Sequence, residues 1–144
     1  MNDRHIVHYI CKTNKKINSY IEQQLKDKGI EDVVPAYRNI LTALYGNNGK
    51  MSMNEVSQLV GKDKSTVTAV VNKLIKLEYV RKEKCTEDRR KTYLLLTRKS
   101  RELQDKFDQI TEEVYEAAYK DFSNEEKEIF LTLLKRLNNN FTLE

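Results

Sequence analysis

The tightest constraint on this chain is the three-residue break Gly61-Lys62-Asp63, which divides two short stretches of helical periodicity. Before the break, Ser52-Met53-Asn54-Glu55 sets a Ser three residues ahead of a Glu, the capping-box pattern in which each side chain satisfies a free backbone N–H. A short helix running to about residue 60 would bury Met53, Val56 and Leu59. After the break, Asp63 can cap a helix from residue 64 to about residue 78. Its apolar residues Val67, Val70, Val71, Leu74 and Leu77 follow the i, i+3, i+4, i+7 rule and fall on one stripe. Ser65, Thr68, Ala69, Asn72 and Lys76 then point the opposite way, a small polar face with few bulky groups to keep it from entering a groove.

Two strand-like runs follow, residues 79–85 and 92–97, the second containing Leu94, Leu95 and Leu96. Between them Thr86-Glu87-Asp88-Arg89-Arg90-Lys91 is a hydrophilic connector, which reads as a hairpin with a basic tip. A short helix, a brief turn, a second helix with a polar outward face and a basic hairpin together have the form of a winged helix-turn-helix. Such a second helix can lie in the major groove, where Ser, Thr and Asn meet base edges and the helix N-terminus offers free N–H groups to a phosphate. The hairpin can extend along the duplex and place an Arg in the narrower, more electronegative minor groove.

Helical patterns flank this unit. Ile6, Ile10, Ile17, Tyr20, Ile21 and Leu25 recur at helical spacing before Gly29. Pro35 starts a second helix through Ala36, Tyr37, Ile40, Leu41, Leu44 and Tyr45, which Gly46-Asn47-Asn48-Gly49 ends in a turn. Beyond the hairpin, Leu103, Phe107, Ile110, Val114 and Ala118 mark one helix of roughly 20 or more residues. Ser123-x-x-Glu126 opens another, with Ile129, Phe130, Leu133, Leu134, Leu137 and Phe141 on its buried side. The 144 residues suit one domain with helical extensions better than two independent cores. With 39% hydrophobic and 33% charged residues, 4 Gly and 1 Pro, the core is modest and the chain calls for a partner subunit.

Charge is unevenly spread. Residues 1–61 carry 8 basic and 6 acidic groups, net +2; residues 62–101 carry 13 and 5, net +8; residues 102–144 carry 5 and 11, net −6. A cationic middle beside an acidic tail implies one face that attracts polyanions and another with a different task.

Catalytic patterns are missing. His5 and His8 could share a helix face, but no carboxylate or third ligand joins them at a zinc spacing, so no metal is expected. Gly49-Lys50-Met51-Ser52 has Gly-Lys without the earlier Gly or the adjacent Ser/Thr of a phosphate-cradling loop. Neither a nucleophile elbow nor a Gly-rich dinucleotide turn occurs, so the expectation is a protein that is not an enzyme and uses no cofactor. No run approaches the roughly 18 apolar residues of a spanning helix, and the first residues open no apolar signal stretch, which predicts a cytoplasmic protein without membrane contact. Cys11 and Cys85 lack C-x-x-C spacing and are expected to be reduced thiols.

The stretch DKSTVTAVVNKLIKLEYVRKEKCTEDRRKTYLLLT resembles the core of the MarR family of bacterial transcriptional regulators, which carries a D-x-R wing and then an apolar strand ending in Leu-Thr. Here those positions are Asp88, Arg90, Leu94, Leu96 and Thr97, and the flanking helices extend the resemblance over nearly the whole chain. The resemblance implies a homodimer whose first and last two helices interlock, presenting two winged modules to a palindromic operator in double-stranded DNA. The terminal helices agree, since they carry wide apolar stripes and little cationic charge. A twofold dimer would space its recognition helices by about one DNA turn, on the order of 34 Å.

Carried over position by position, the resemblance puts Lys64, Ser65, Thr66, Thr68, Ala69 and Asn72 at recognition-helix contacts and makes Lys73 and Lys76 phosphate partners. Asp88 orients an Arg by a salt bridge, Arg90 enters the minor groove, and Arg89 and Lys91 stand beside it on the basic tip. Ala69 can offer only an apolar contact, for instance to a thymine methyl. Leu77-Glu78-Tyr79 stands where the family usually has Gly, which implies a less sharp helix exit. The resemblance further implies a pocket between dimer helices and winged module for phenolic or other aromatic anions that reduce DNA binding, with His8, Tyr37 and Arg38 as polar candidates. Interhelical hydrogen bonds and an ion pair are the alternative for these three. Some relatives sense oxidants through an N-terminal thiolate; Cys11 falls about one turn later than that position, and a buried, inert Cys is its expected role, while Cys85, at a strand end near the wing, has no sensor resemblance and is read as structural.

The expected fold is therefore mainly α with a small β-hairpin wing (α+β): an N-terminal dimerisation helix over residues 1–34, a winged helix-turn-helix over 35–99 and C-terminal dimerisation helices over 100–144, forming one intertwined domain. The expected function is a DNA-binding regulator, a repressor released by a small aromatic ligand or by oxidation. The alternative is a winged-helix module for protein contacts without high-affinity duplex binding.

Overall fold

The computed structural model describes residues 2–141. After a 3-10 turn at Asp3–His5, the elements run α1 (Ile6–Asp27), α2 (Pro35–Tyr45), β1 (Lys50–Ser52), α3 (Met53–Val60), α4 (Lys64–Lys76), β2 (Val80–Lys84), β3 (Thr92–Leu96), α5 (Arg98–Glu102), α6 (Gln104–Ala118) and α7 (Asn124–Asn139). The class is mainly helical with a small antiparallel sheet, as the sequence predicts.

Local chemistry accounts for the boundaries. Gly29, at φ +78°, turns the chain out of α1, and the Ile30 N–H donates to the Leu25 carbonyl at 2.9 Å. Pro35 sits in the first turn of α2, where its missing N–H would be unpaired anyway. Ser52 and Glu55 form the reciprocal capping box of α3, and Ser123 and Glu126 form that of α7. The Asp63 carboxylate accepts from the Thr66 N–H at 2.7 Å at the start of α4.

One cluster of buried side chains fills the molecule. Leu41 and Leu44 of α2, Val56 of α3, Val67, Val71 and Leu74 of α4 and Leu94 of β3 are its centre. Ile21 and Leu25 of α1 join it with Phe107 and Ile110 of α6, so the C-terminal half of α1 is anchored to the same core as the winged module. A half-buried ion pair, Lys28 to Glu113 at 3.0 Å, ties the end of α1 to α6.

Several expectations are corrected. The hairpin is the larger part of a three-stranded sheet of order β1-β3-β2, in which Met51 pairs with Leu94 and Val80 with Leu96. A three-residue strand shows no periodicity, so β1 had no legible signal. The long helix expected around residues 103–118 is the 15-residue α6, preceded by the separate five-residue α5. Thr97 caps α5, and tertiary bonds from buried Ser100 draw that short helix inward. Leu59 is not buried but 64% exposed, because Val60, one turn on from Val56, takes the inward position. Helix α4 stops at Lys76, and its exit is sharp: Glu78 adopts φ +66°, the left-handed turn expected to need Gly.

The terminal helices differ most from a buried reading. Within one subunit α7 buries none of its residues, and Ile129, Phe130, Leu133, Leu134 and Phe141 are exposed. Ile6, Ile10, Ile17 and Tyr20 of α1 are exposed as well. Cys11, expected to be buried, is exposed on this bare part of α1, since nothing in its own subunit covers it. Cys85 is half-buried at the foot of the hairpin.

Candidate nucleic-acid interface

Helix α4 turns Val67, Val71 and Leu74 into the core, and that orientation sets what the other side presents. Lys64, Ser65, Thr66, Thr68, Ala69, Asn72, Lys73 and Lys76 are all exposed, on a face that their own subunit leaves bare. At its N-terminus the Ser65 hydroxyl donates to Asp63 Oδ1 at 2.8 Å, so Asp63 both caps the helix and steadies the first polar side chain. The backbone N–H of Thr66 and the Ser65 hydroxyl hold the Asp63 carboxyl below its ordinary pKa, keeping the cap ionised.

The hairpin tip is ordered by its own backbone. Cys85 N–H donates to the Lys91 carbonyl and Lys91 N–H to the Asp88 carbonyl, each at 3.0 Å. Asp88 Oδ1 then accepts from the Arg90 backbone N–H at 3.0 Å and from Arg90 Nε at 3.2 Å. One carboxylate thus fixes the turn and aims the guanidinium, whose side chain is otherwise 93% exposed. These two hydrogen bonds lower the Asp88 pKa, so the brace persists through neutral pH. Arg89 and Lys91 are exposed beside it, while the ammonium groups of Lys82 and Lys84 on β2 and of Lys62 before α4 extend the cationic surface beyond the residues singled out by sequence.

The proposed effector residues are not gathered into one cluster. His8 is exposed on α1 with its ring edge-on to Tyr9, and no hydrogen bond among the described residues joins it to Tyr37 or Arg38. Tyr37 is half-buried against the core. Arg38 is only 7% exposed; its Nη2 donates to Thr111 Oγ1 of α6 at 2.8 Å, whereas its buried Nε has no hydrogen-bond partner among the described residues. The ion pair considered from sequence does not form among the described residues; burial pulls the Arg38 pKa down, partly offset by Tyr115. Among the described residues no cluster of His, Cys, Asp or Glu is placed to hold a metal, and no helix is long and apolar enough to cross a membrane.

An outward polar helix beside a braced basic hairpin, carried on a three-stranded sheet, defines a winged helix-turn-helix of the DNA-binding class. Residues 32–91, which hold this unit, match the family model described as MarR family. Across 138 aligned residues the chain is 26% identical to the HTH-type transcriptional regulator PchR of Bacillus subtilis, covering 90% of this chain and 81% of that protein. It is similar in structure to a MarR protein from Peptoclostridium difficile, with a TM-score of 0.82 and 26% identity over 97% of this chain and 89% of that one. The fold is also shared with Sco3205, a MarR family transcriptional regulator from Streptomyces coelicolor in complex with DNA, with a TM-score of 0.83 and 17% identity over 99% and 89% of the two chains. The family match is thus confined to the winged unit, while the likeness in fold to MarR proteins extends over nearly the whole chain.

Proposed function

We propose that this protein is a cytoplasmic homodimeric repressor that occupies a palindromic operator and is released from it by an aromatic anion or by oxidation. The observation that carries the reading is the bare polar face of α4 beside the Asp88-braced Arg90, two surfaces of one subunit ready for adjacent grooves. Ser65, Thr68 and Asn72 meet base edges in the major groove, Ala69 offers a methyl contact, Lys73 and Lys76 take phosphates, and Arg90 enters the minor groove. The exposed apolar faces of α1 and α7 are the surfaces that a second copy covers, giving the twofold symmetry a palindrome requires. Residues 1–34 and 100–144 then serve dimerisation and residues 35–99 serve DNA.

Release follows when a signal binds the poorly fitting arrangement more tightly than the fitting one. Arg38 supports an anionic effector: a buried guanidinium with no counter-charge among the described residues is costly, and a carboxylate or phenolate entering the α2–α6 junction would satisfy its Nε. The exposed Cys11 thiol is the candidate for oxidation. Sequencing of genomic fragments retained by the purified protein, with and without hydroxybenzoate or peroxide, tests the reading. Enrichment of one palindromic sequence, reduced by either addition, is the expected result. Failure to shift duplex DNA from the protein's own upstream region would favour a winged-helix module for protein contacts.

A further inference from the structure

Tyr79 occupies the exit of the recognition helix, and its backbone is bonded in two directions. The Tyr79 N–H donates to the Leu74 carbonyl at 2.9 Å, closing the last turn of α4. The Tyr79 carbonyl accepts from Thr97 N–H at 3.1 Å and from the Ser100 hydroxyl at 2.5 Å, which fastens the exit to α5. From this fixed point the buried ring extends to the linker between α1 and α2, where its hydroxyl donates to Asp32 Oδ1 at 2.5 Å.

Lys99 of α5 completes the cluster. Its Nζ lies 4.1 Å from the centroid of the Tyr79 ring, donates to the Leu77 carbonyl at 2.8 Å and reaches Asp32 Oδ2 at 3.5 Å. Leu77 is the C-cap of α4, so the ammonium satisfies a carbonyl at the negative end of the helix while pairing with the linker carboxylate. Both oxygens of Asp32 are thus held by groups that grip the end of the recognition helix. Burial and Asp32 raise the Tyr79 pKa, so the phenol stays a neutral donor at physiological pH. The start of the same linker is held separately, by Lys28 on Glu113 and by Lys106 Nζ on the Lys28 carbonyl at 3.2 Å.

We propose that Asp32, Tyr79 and Lys99 form a joint that sets the bearing of the recognition helix on α1, and with it the separation of the two recognition helices in the dimer. None of the three is a DNA contact; they are positioning residues. α1 carries the apolar dimer face and α4 the DNA face, so a rotation of one against the other must strain the short linker or break the Tyr79–Asp32 bond. The inference rests on the dimeric, operator-binding reading above.

Operator spacing gives the test. One added base pair moves a half-site by roughly 3.4 Å and turns it by about 35°, so a rigid pair of recognition helices must discriminate sharply among spacers. The wild-type protein selects an operator from random duplex DNA; its affinity, and those of Tyr79→Phe and Asp32→Asn, are then measured on variants of that operator with one or two base pairs added or removed between half-sites. The expected result is a loss of about tenfold or more per added base pair for wild type, reduced to about twofold or threefold in each single variant, with no further change in the double variant. The salt slope of binding should stay at the wild-type value, because no phosphate contact is removed. Variants that keep the wild-type spacer preference, even with lower thermal stability or overall affinity, overturn the joint. A wild-type protein that binds all spacings equally, or no duplex at all, overturns instead the reading on which the joint rests.

Discussion

Arg90 shows how one local contact turns a flexible side chain into a probe. A guanidinium on a hairpin tip normally samples many rotamers, but Asp88 holds both its Nε and its backbone N–H. Arg90→Ala should lower operator affinity and flatten the salt dependence, reducing the slope by about 1 if one phosphate-neutralising charge is lost, while the dimer stays folded. Titrations at several salt concentrations would show this; an unchanged affinity and slope would remove the hairpin from the interface. Arg38 poses the opposite case, a cation with too few partners. Arg38→Met should leave thermal stability within about 1 kcal/mol of wild type or raise it, since an apolar side chain of similar volume removes the desolvation cost. The same substitution should abolish the response to hydroxybenzoate in operator binding, and a variant still released by the anion would detach Arg38 from the effector site.

Element by element, the helix starts were legible because capping is chemistry confined to four residues. Ser52 with Glu55, Asp63 with Thr66 and Ser123 with Glu126 all form the bonds that their spacing predicts. The exit of α4 differs from the expectation because Glu78 takes a left-handed conformation that its identity does not announce, while the Thr97 hydroxyl holds the Glu78 carbonyl and the Tyr79 N–H closes on the Leu74 carbonyl. The conformation costs an L-residue about 1–2 kcal/mol, partly regained through these bonds. Glu78→Gly should therefore stabilise the protein, by about 0.5 kcal/mol after allowing for the greater unfolded-state entropy of Gly. Chemical denaturation would measure it, and a destabilised variant would mean that Glu78 is not strained.

For the whole molecule, the decisive feature is how much apolar surface one subunit leaves uncovered. Phe130 of α7 is 50% exposed and Ile6, Ile10 and Leu133 are similarly bare. Paired substitution Phe130→Glu with Leu134→Glu should shift the protein to monomer in sedimentation, because each would bury a charge against the second copy. Operator affinity should fall by at least two orders of magnitude, as the second half-site is no longer engaged at high effective concentration. Retention of the dimer would assign that face to some other contact.

Periodicity, caps and the basic hairpin placed most of the helices and the polar face of α4, and the family resemblance implied the Asp88–Arg90 pair, because each is written within a few neighbouring residues. β1, the division between α5 and α6, the exposure of Leu59 and Cys11 and the Asp32–Tyr79–Lys99 cluster were not, because they depend on which distant segments pack together. Hydrogen bonds between residues 32, 79 and 99 leave no trace in local spacing; they exist only once the core has brought the α1–α2 linker, the end of α4 and the start of α5 to one place.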